Sequence, residues 1–325
     1  MSVHTLDIDS GERDPIAYPN PGDYVVELKN PIYNVSKISL VSARIHASQL
    51  LINDRNNTFS VNGTTVTLPN ENYSGNEIAS ELLTQFQATS VPISAVTYDK
   101  SKNDLSFTGY APFTFEFYGG ENGFASGVEG LTTPHDILGL PASNISSVNN
   151  TSNAFTLGTG SLHLQGPDAL ILKISSGSEQ LNKTVYSDTP FYTGRILMAG
   201  DVINYSGIDD TVEHNFDSGT QNISKLRIQF FYSSNNRLIP YDFRNANHVL
   251  KLSINGTTDK LSRVPMIKKG TELQNEERTE GYRLPPNIQG KVDDLNKWNA
   301  FIYIFLIVLT GCFFMVFTKP RRLSE

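Results

Sequence analysis

Residues 298–318 read WNAFIYIFLIVLTGCFFMVFT, 21 positions without a charge in a chain that is otherwise polar and rich in Asn, Ser and Thr. As a helix rising 1.5 Å per residue, this stretch is roughly 32 Å long and matches a hydrocarbon core about 30 Å thick. Twelve of the residues from Phe301 to Phe317 are Ile, Leu, Val or Phe. At about 0.3 to 0.6 kcal/mol each they favour insertion by roughly 4 to 7 kcal/mol, an upper figure because end positions count for less. A buried core helix would carry a polar stripe, and this segment has only Thr310 and Asn299. It is predicted to be a single C-terminal transmembrane helix, with Phe305, Leu309 and Phe313 in its apolar body. Trp298 and Tyr303 suit the headgroup level at one end, and Lys319, Arg321 and Arg322 suit lipid phosphates at the other. Seven residues follow the span, so the function is expected in the 297 residues before it.

Those residues suffice for one large or two modest domains, and 38% hydrophobic content with 18 Phe and 14 Tyr is ample for a core. Net charge is −7; the tail holds three of the 26 basic and one of the 33 acidic side chains, so the part before it carries −9. That balance argues against binding nucleic acid through this surface. The opening MSVHTLDIDSGERD has no apolar h-region, which predicts that no cleaved secretory signal is present. The one cysteine, Cys312, lies inside the span, so no intramolecular disulfide is expected and folding in a reducing compartment fits. Asn-x-Ser/Thr triplets at Asn34, Asn56, Asn62, Asn72, Asn144, Asn149, Asn150, Asn182, Asn204, Asn222 and Asn255 point the other way, towards a glycoprotein. A composition this rich in Asn, Ser and Thr also makes such triplets by chance.

Period-two alternation dominates. In KLRIQFFY, Leu226, Ile228, Phe230 and Tyr232 face one way and Arg227 and Gln229 the other; Leu250, Leu252 and Ile254 repeat the pattern. DYVVEL from Asp23, KISLVSARI from Lys37 and ALILKI from Ala169 are further strands, the last two apolar on both faces and so central. Turn signals such as Tyr18-Pro19-Asn20-Pro21-Gly22 separate them. The whole predicts an antiparallel β-sandwich over 1–55 plus 142–264.

Residues 56–141 have another rhythm and are predicted to form an inserted small α+β lobe. Asn62-Gly63 is the favoured type I′ pair of a hairpin. Ser74-Gly75-Asn76-Glu77 has capping-box spacing, and Ile78, Leu82 and Phe86 follow at intervals of four, the pattern of an amphipathic helix. A second hairpin sets Val96 and Tyr98 against Leu105 and Phe107, FTFEFY from Phe113 alternates, and residues 133–139 read as a one-turn helix closed by Gly139. Residues 265–297 are rich in charge, Gly and Pro and are predicted to be a tether reaching on the order of 100 Å when extended. A basic tail, 319–325, ends the chain.

Signals for chemistry are weak. His4, His46, His135, His163, His214 and His248 show no metal-ligand spacing, and no nucleophile elbow, P-loop or dinucleotide fingerprint occurs. Gly119-Gly120-Glu121-Asn122-Gly123 follows a strand without opening a helix and reads as a loop. Asp7, Asp9, Glu12 and Asp14 with Arg13 do not fit a calcium loop, because Gly11 comes too early, and read as a solvated turn with Asp to Arg pairing. Asp209-Asp210 has loop composition. No enzyme, cofactor, metal site or small-molecule substrate is predicted.

The opening LDIDSGERDPIAYPNPGDYVVELKNPIYNVSKISLVSARI, the later HDILGLP and the pair ISKLRIQFFYSSNNRLIPYDFRNANHVLKLSI together resemble minor capsid proteins of large icosahedral double-stranded DNA viruses, the chlorella-virus type included. In that group a short Asp-Ser-x-x-Arg-Asp stretch precedes a Tyr-Pro-x-Pro-x-Asp-Tyr/Phe turn and two strands. The resemblance runs in patches across roughly residues 5–255 and does not include the tether or the span, whose roles rest on physics. It implies a jelly-roll-like sandwich, a structural role beneath the major capsid shell and an internal virion membrane. The expected partners are the major capsid protein, other minor capsid proteins and, through 298–318, a lipid bilayer; no sequence-specific nucleic acid is expected. The expected place is the virion, between capsid shell and internal membrane. The alternative is a glycosylated, membrane-anchored surface or attachment protein, which the positive-inside bias of the tail favours; glycosidase sensitivity separates the two.

Overall fold

The computed structural model describes residues 2–150, 154–177, 179–181, 193–207, 212–216 and 221–256. The predicted tether, span and tail lie outside these residues, as does Asp209-Asp210. In chain order the elements are β1 (Ser2–Asp9), β2 (Asp23–His46), β3 (Thr58–Val61), β4 (Thr64–Thr67), α1 (Gly75–Ala88), β5 (Ile93–Asp99), β6 (Asp104–Gly109) and β7 (Thr114–Glu116). They continue as β8 (Asn144–Ser146), β9 (Val148–Asn149), β10 (Phe155–Gly158), β11 (Ala169–Ser176), β12 (Glu179–Gln180), β13 (Gly194–Leu197) and β14 (Val202–Tyr205). The last are β15 (Glu213–Asn215), β16 (Gln221–Ser234), β17 (Arg237–Pro240) and β18 (Val249–Gly256). The described fold is mainly antiparallel β.

A ten-stranded sheet runs β1-β18-β2-β16-β11-β12, with β13 on β11, β14 and β15 on β2, and β17 on β16. Its spine is β2, 24 residues long. The sequence reading set two strands here, one from Asp23 and one from Lys37, and the structure joins them. Pro31 is accommodated because β16 pairs with β2 at Glu27 and again at Ile32, with an irregularity between, so no ladder N–H is needed there. Two bulges then reset the alternation of β2. Lys251 lies opposite Ser42 and Leu252 opposite Leu40, which leaves Val41 extra; Asn255 opposite Lys37 and Gly256 opposite Val35 leave Ser36 extra. Each extra residue turns the following side chains to the other face. The buried set accordingly steps from Val35 to Ile38 and Leu40, then to Ala43 and Ile45.

One core collects Ile8 of β1, Leu250, Leu252 and Ile254 of β18, Leu226, Ile228 and Phe230 of β16, and Leu170, Leu172 and Ile174 of β11. Strands from both ends of the sheet fill the same interior, the packing of a sandwich. As the alternation predicted, Leu226, Ile228, Phe230 and Tyr232 point inward while Arg227 is exposed. On β11, Ile171 is also buried, which fits the reading of this strand as apolar on both faces.

Residues 51–164 build a second core. Two four-stranded sheets, β5-β6-β10-β9 and β4-β3-β7-β8, enclose α1 together with Phe59, Phe107, Phe113, Phe115 and Phe117. Asn62 (φ 49°) and Gly63 (φ 76°) turn the β3–β4 hairpin in the left-handed region a type I′ turn needs. Ser74 caps α1 in a reciprocal box with Glu77, and Ile78, Leu82 and Phe86 are buried beneath it. Such a cap contributes about 1 kcal/mol. Val96 lies opposite Phe107 and Tyr98 opposite Leu105, the predicted second hairpin. Residues 133–139 form the single turn expected of them. Leu138 N–H bonds Pro134 O, Leu140 N–H bonds His135 O and Gly139 N–H bonds Asp136 O, with Gly139 at φ 65°. This is the Schellman arrangement, and it stops the helix after one turn. Past residue 141, β8 pairs with β7 and β10 pairs with β6, so strands following that turn still belong to the lobe's sheets.

Candidate functional site

At the start of the chain a polar clasp ties loop 10–22 to the distant segment before β18. Asp9 Oδ1 accepts from Gly11 N–H at 2.8 Å and caps the short helix Ser10–Glu12. Arg13 donates to Tyr18 O at 2.9 Å, Pro19 O at 3.1 Å, Ser10 O at 2.7 Å and Asn247 Oδ1 at 3.0 Å. Asp14 Oδ1 accepts from Ile16 and Ala17 N–H, and Asn20 Oδ1 from Gly22 N–H. The expected pairing of Asp with Arg13 is replaced by bonds to main chain: the planar fork of Arg13 meets clustered carbonyls, while Asp9 and Asp14 take loop N–H groups. Asp23 receives a bidentate bond from Arg227, at 2.8 and 2.7 Å, and a third from Gln229 at 3.1 Å.

Beneath the clasp lies His248, 1% exposed. Its N–H donates to Ser10 Oγ at 2.8 Å, its carbonyl accepts from Ser10 N–H at 2.9 Å, and its Nε2 is 3.0 Å from Tyr24 Oη. The rings of Phe230 and Phe243 lie 4.7 and 4.8 Å from its own. Burial, and next the charge of Arg13, hold the imidazole down to about 4, and burial pushes the Tyr24 phenol up. The histidine–tyrosine pair, buried among aromatic rings, joins β2 and β16 to the segment just before β18.

A second polar region joins lobe and sheet around a cavity of about 220 Å³ lined by Asn56, Asp136, His163, Arg195, Tyr232 and Ser234 among others. Thr132 Oγ1 and Ser234 Oγ are 2.6 Å apart. Arg237 donates to Phe124 O and lies over the Phe124 ring at 5.0 Å. His135 packs between Phe117 and Phe124 with Nδ1 2.9 Å from Thr133 Oγ1, and burial lowers its pKa. Exposed His163 pairs with Asp136 at 3.1 Å. Among the described residues no three His, Cys, Asp or Glu gather to hold a metal ion.

Sequence reasoning missed both polar regions, because Arg13 meets Asn247 across 234 positions and Thr132 meets Ser234 across 102. A buried, unperiodic His beside NAN was the available signal. The predicted anchor residues Trp298, Tyr303, Phe305, Leu309, Phe313, Lys319, Arg321 and Arg322 fall outside the described residues, among which no helix is long and apolar enough to cross a membrane.

A sheet spine, an aromatic lobe and polar groups spent on holding main chain define a β-rich scaffold. The chain belongs to the family of unknown function DUF5901, whose model matches residues 2–185. No curated protein matches its sequence. Among solved structures, the mavirus penton protein is similar over 79% of this chain and 100% of its own, at 11% identity and a TM-score of 0.40. A chain of the Sputnik virophage is similar over 78% of this chain and 98% of its own, at 12% identity and a TM-score of 0.34.

Proposed function

We infer that this chain is a structural capsid protein of the minor type, with a jelly-roll-like body that binds capsid neighbours and residues 298–318 as its hold on an internal membrane. One observation carries the reading. The patches that resemble minor capsid proteins of large double-stranded DNA viruses, scattered in sequence, are the parts that brace this body. The opening patch supplies β1, loop 10–22 and β2; HDILGLP supplies the Schellman turn beside the lobe–sheet seam; the late patch supplies β16, β17 and β18. Exposed Tyr33, Tyr110, Tyr118 and Val148 offer contacts to neighbours, and many copies make weak contacts sufficient. Lys319, Arg321 and Arg322 suit lipid phosphates.

The glycoprotein alternative is opposed by the use made of its acceptor residues. Asn56 is buried and donates Nδ2 to Leu51 O, Asn62 donates Nδ2 to Pro112 O, and Asn144 Oδ1 accepts from Tyr118 and Gly119 N–H. A glycan on Asn56 would need space that its buried site lacks. The tethering role is tested by flotation: the full chain is expected to float with liposomes, and the chain lacking residues 298–325 to stay in the soluble fraction, with the β-sheet signal of its circular dichroism spectrum kept and the helical signal reduced. Flotation of the truncated chain would refute the tether. The capsid role is tested separately by cross-linking mass spectrometry of purified particles, where links to capsid proteins are expected.

A further inference from the structure

Two strand edges face one groove at the clasp end of the sheet. Among the described residues β1 pairs with β18 alone, and residues 23–27 of β2 pair with β16 alone. β18 meets β2 only between Val35 and Arg44, so among the described residues the other edge of residues 23–27 carries no strand. That edge and residues 7–9 of β1 line a groove of about 610 Å³. Half-buried Tyr18, Val25 and Val26 and exposed Val249 give it an apolar side. Its rim carries Asp7, Asp9, Glu12, Asp14 and Glu27 against Arg13. Arg13 is committed to carbonyls and Asn247, and Lys251 reaches Asp7 at 3.5 Å, so negative charge stays in excess.

An open edge asks for an extended chain that aligns its own N–H and C=O groups, while the groove walls choose among its alternating side chains. Here one wall asks for cations and the other for branched apolar groups. Asp7 and Glu27 come from the edge strands and Glu12 from the loop, so carboxylates approach the groove from separate elements. We propose that this groove is a docking site for an extended segment of a partner protein in which Lys or Arg alternate with Val or Ile. The site is independent of the capsid reading, since any partner carrying such a segment would fill it.

The probe is a fluorescent seven-residue peptide of alternating lysine and valine, titrated against the full-length chain in neutral detergent and followed by anisotropy. Binding is expected to weaken about ten-fold or more in the triple variant Asp7→Asn, Glu12→Gln, Glu27→Gln. The equally charged control Glu71→Gln, Glu121→Gln, Glu129→Gln, on exposed lobe positions, is expected to stay within about two-fold of the parent. N-methylation of alternate peptide residues, which removes main-chain donors, is expected to cost about ten-fold as well. Equal loss in both triple variants would reduce the effect to bulk charge and overturn the proposal. So would full binding of the N-methylated peptide, no binding at all, or peptide binding blocked by self-association of the chain through this edge.

Discussion

Phe115→Ala is expected to lower the unfolding free energy by about 4 kcal/mol, the cost of a buried phenylalanine whose neighbours cannot collapse into the space left. Phe115 is fully buried at the hub of the lobe, with ring centroids of Phe59, Phe86, Phe107, Phe113 and Phe117 between 5.0 and 6.1 Å from its own. Those rings come from β3, α1, β6 and the flanks of β7, so no single element can shift to refill the gap. Phe115→Leu keeps most of the volume and is expected to cost about 1 to 2 kcal/mol. Urea denaturation of the full-length chain in detergent, followed by far-ultraviolet circular dichroism, measures both. Hydrogen exchange adds location: amides of α1, β3 and β6 are expected to lose protection before those of β2, β16 and β18. A loss below about 1 kcal/mol for the alanine variant would mean that the rings do not pack as one unit.

The second large effect is a loss of stability in mild acid. His248 titrates near 4 in the folded chain, and an unfolded histidine near 6.5. Between those values the unfolded chain binds a proton that the folded chain refuses. Stability is therefore full above about pH 6.5 and falls as pH drops towards 4, by roughly 3 kcal/mol in all. Burial is the main cause; Arg13 adds to the lowering and Asp9 opposes it. His135 is lowered by burial too and contributes in the same direction. Urea midpoints at pH 7.5 and 4.5 test this: His248→Gln is expected to be less stable at the higher pH and to show a smaller drop between the two. The same drop in parent and variant would place the acid sensitivity elsewhere.

Local pattern carried far in this chain. The Asn62-Gly63 turn, the Ser74–Glu77 box, the pairing of Val96 and Tyr98 with Phe107 and Leu105, and the inward row Leu226, Ile228, Phe230 and Tyr232 were all readable within windows of about a dozen residues. Each depends on a turn geometry, a cap or a side-chain period that the chain sets over short range. The one-turn stop at Gly139 was readable too, since Pro134 at the first position and Gly139 past the end bracket a single turn.

The clasp was legible as a motif and not as a mechanism. DSGERD and YPNPGDY announce turns, yet Arg13 finds Asn247 and Ser10 finds His248 only once β1 and β18 have paired. The continuity of β2 through Pro31 and its bulges at Ser36 and Val41 were hidden for the same reason, since a bulge exists relative to a partner strand.

By itself the sequence determined the β-rich class, the hairpins, the capped helix and the inward faces of β16 and β18, because alternation, turn residues and caps act between near neighbours. Only the tertiary structure decided that two predicted strands are one spine, that β8 and β10 complete the lobe's sheets, and that the carboxylates of Asp9 and Asp14 bind main chain and leave Arg13 to carbonyls. Those outcomes turn on which distant backbone arrives to offer a hydrogen bond, and that is settled when strands hundreds of residues apart pack around a shared core.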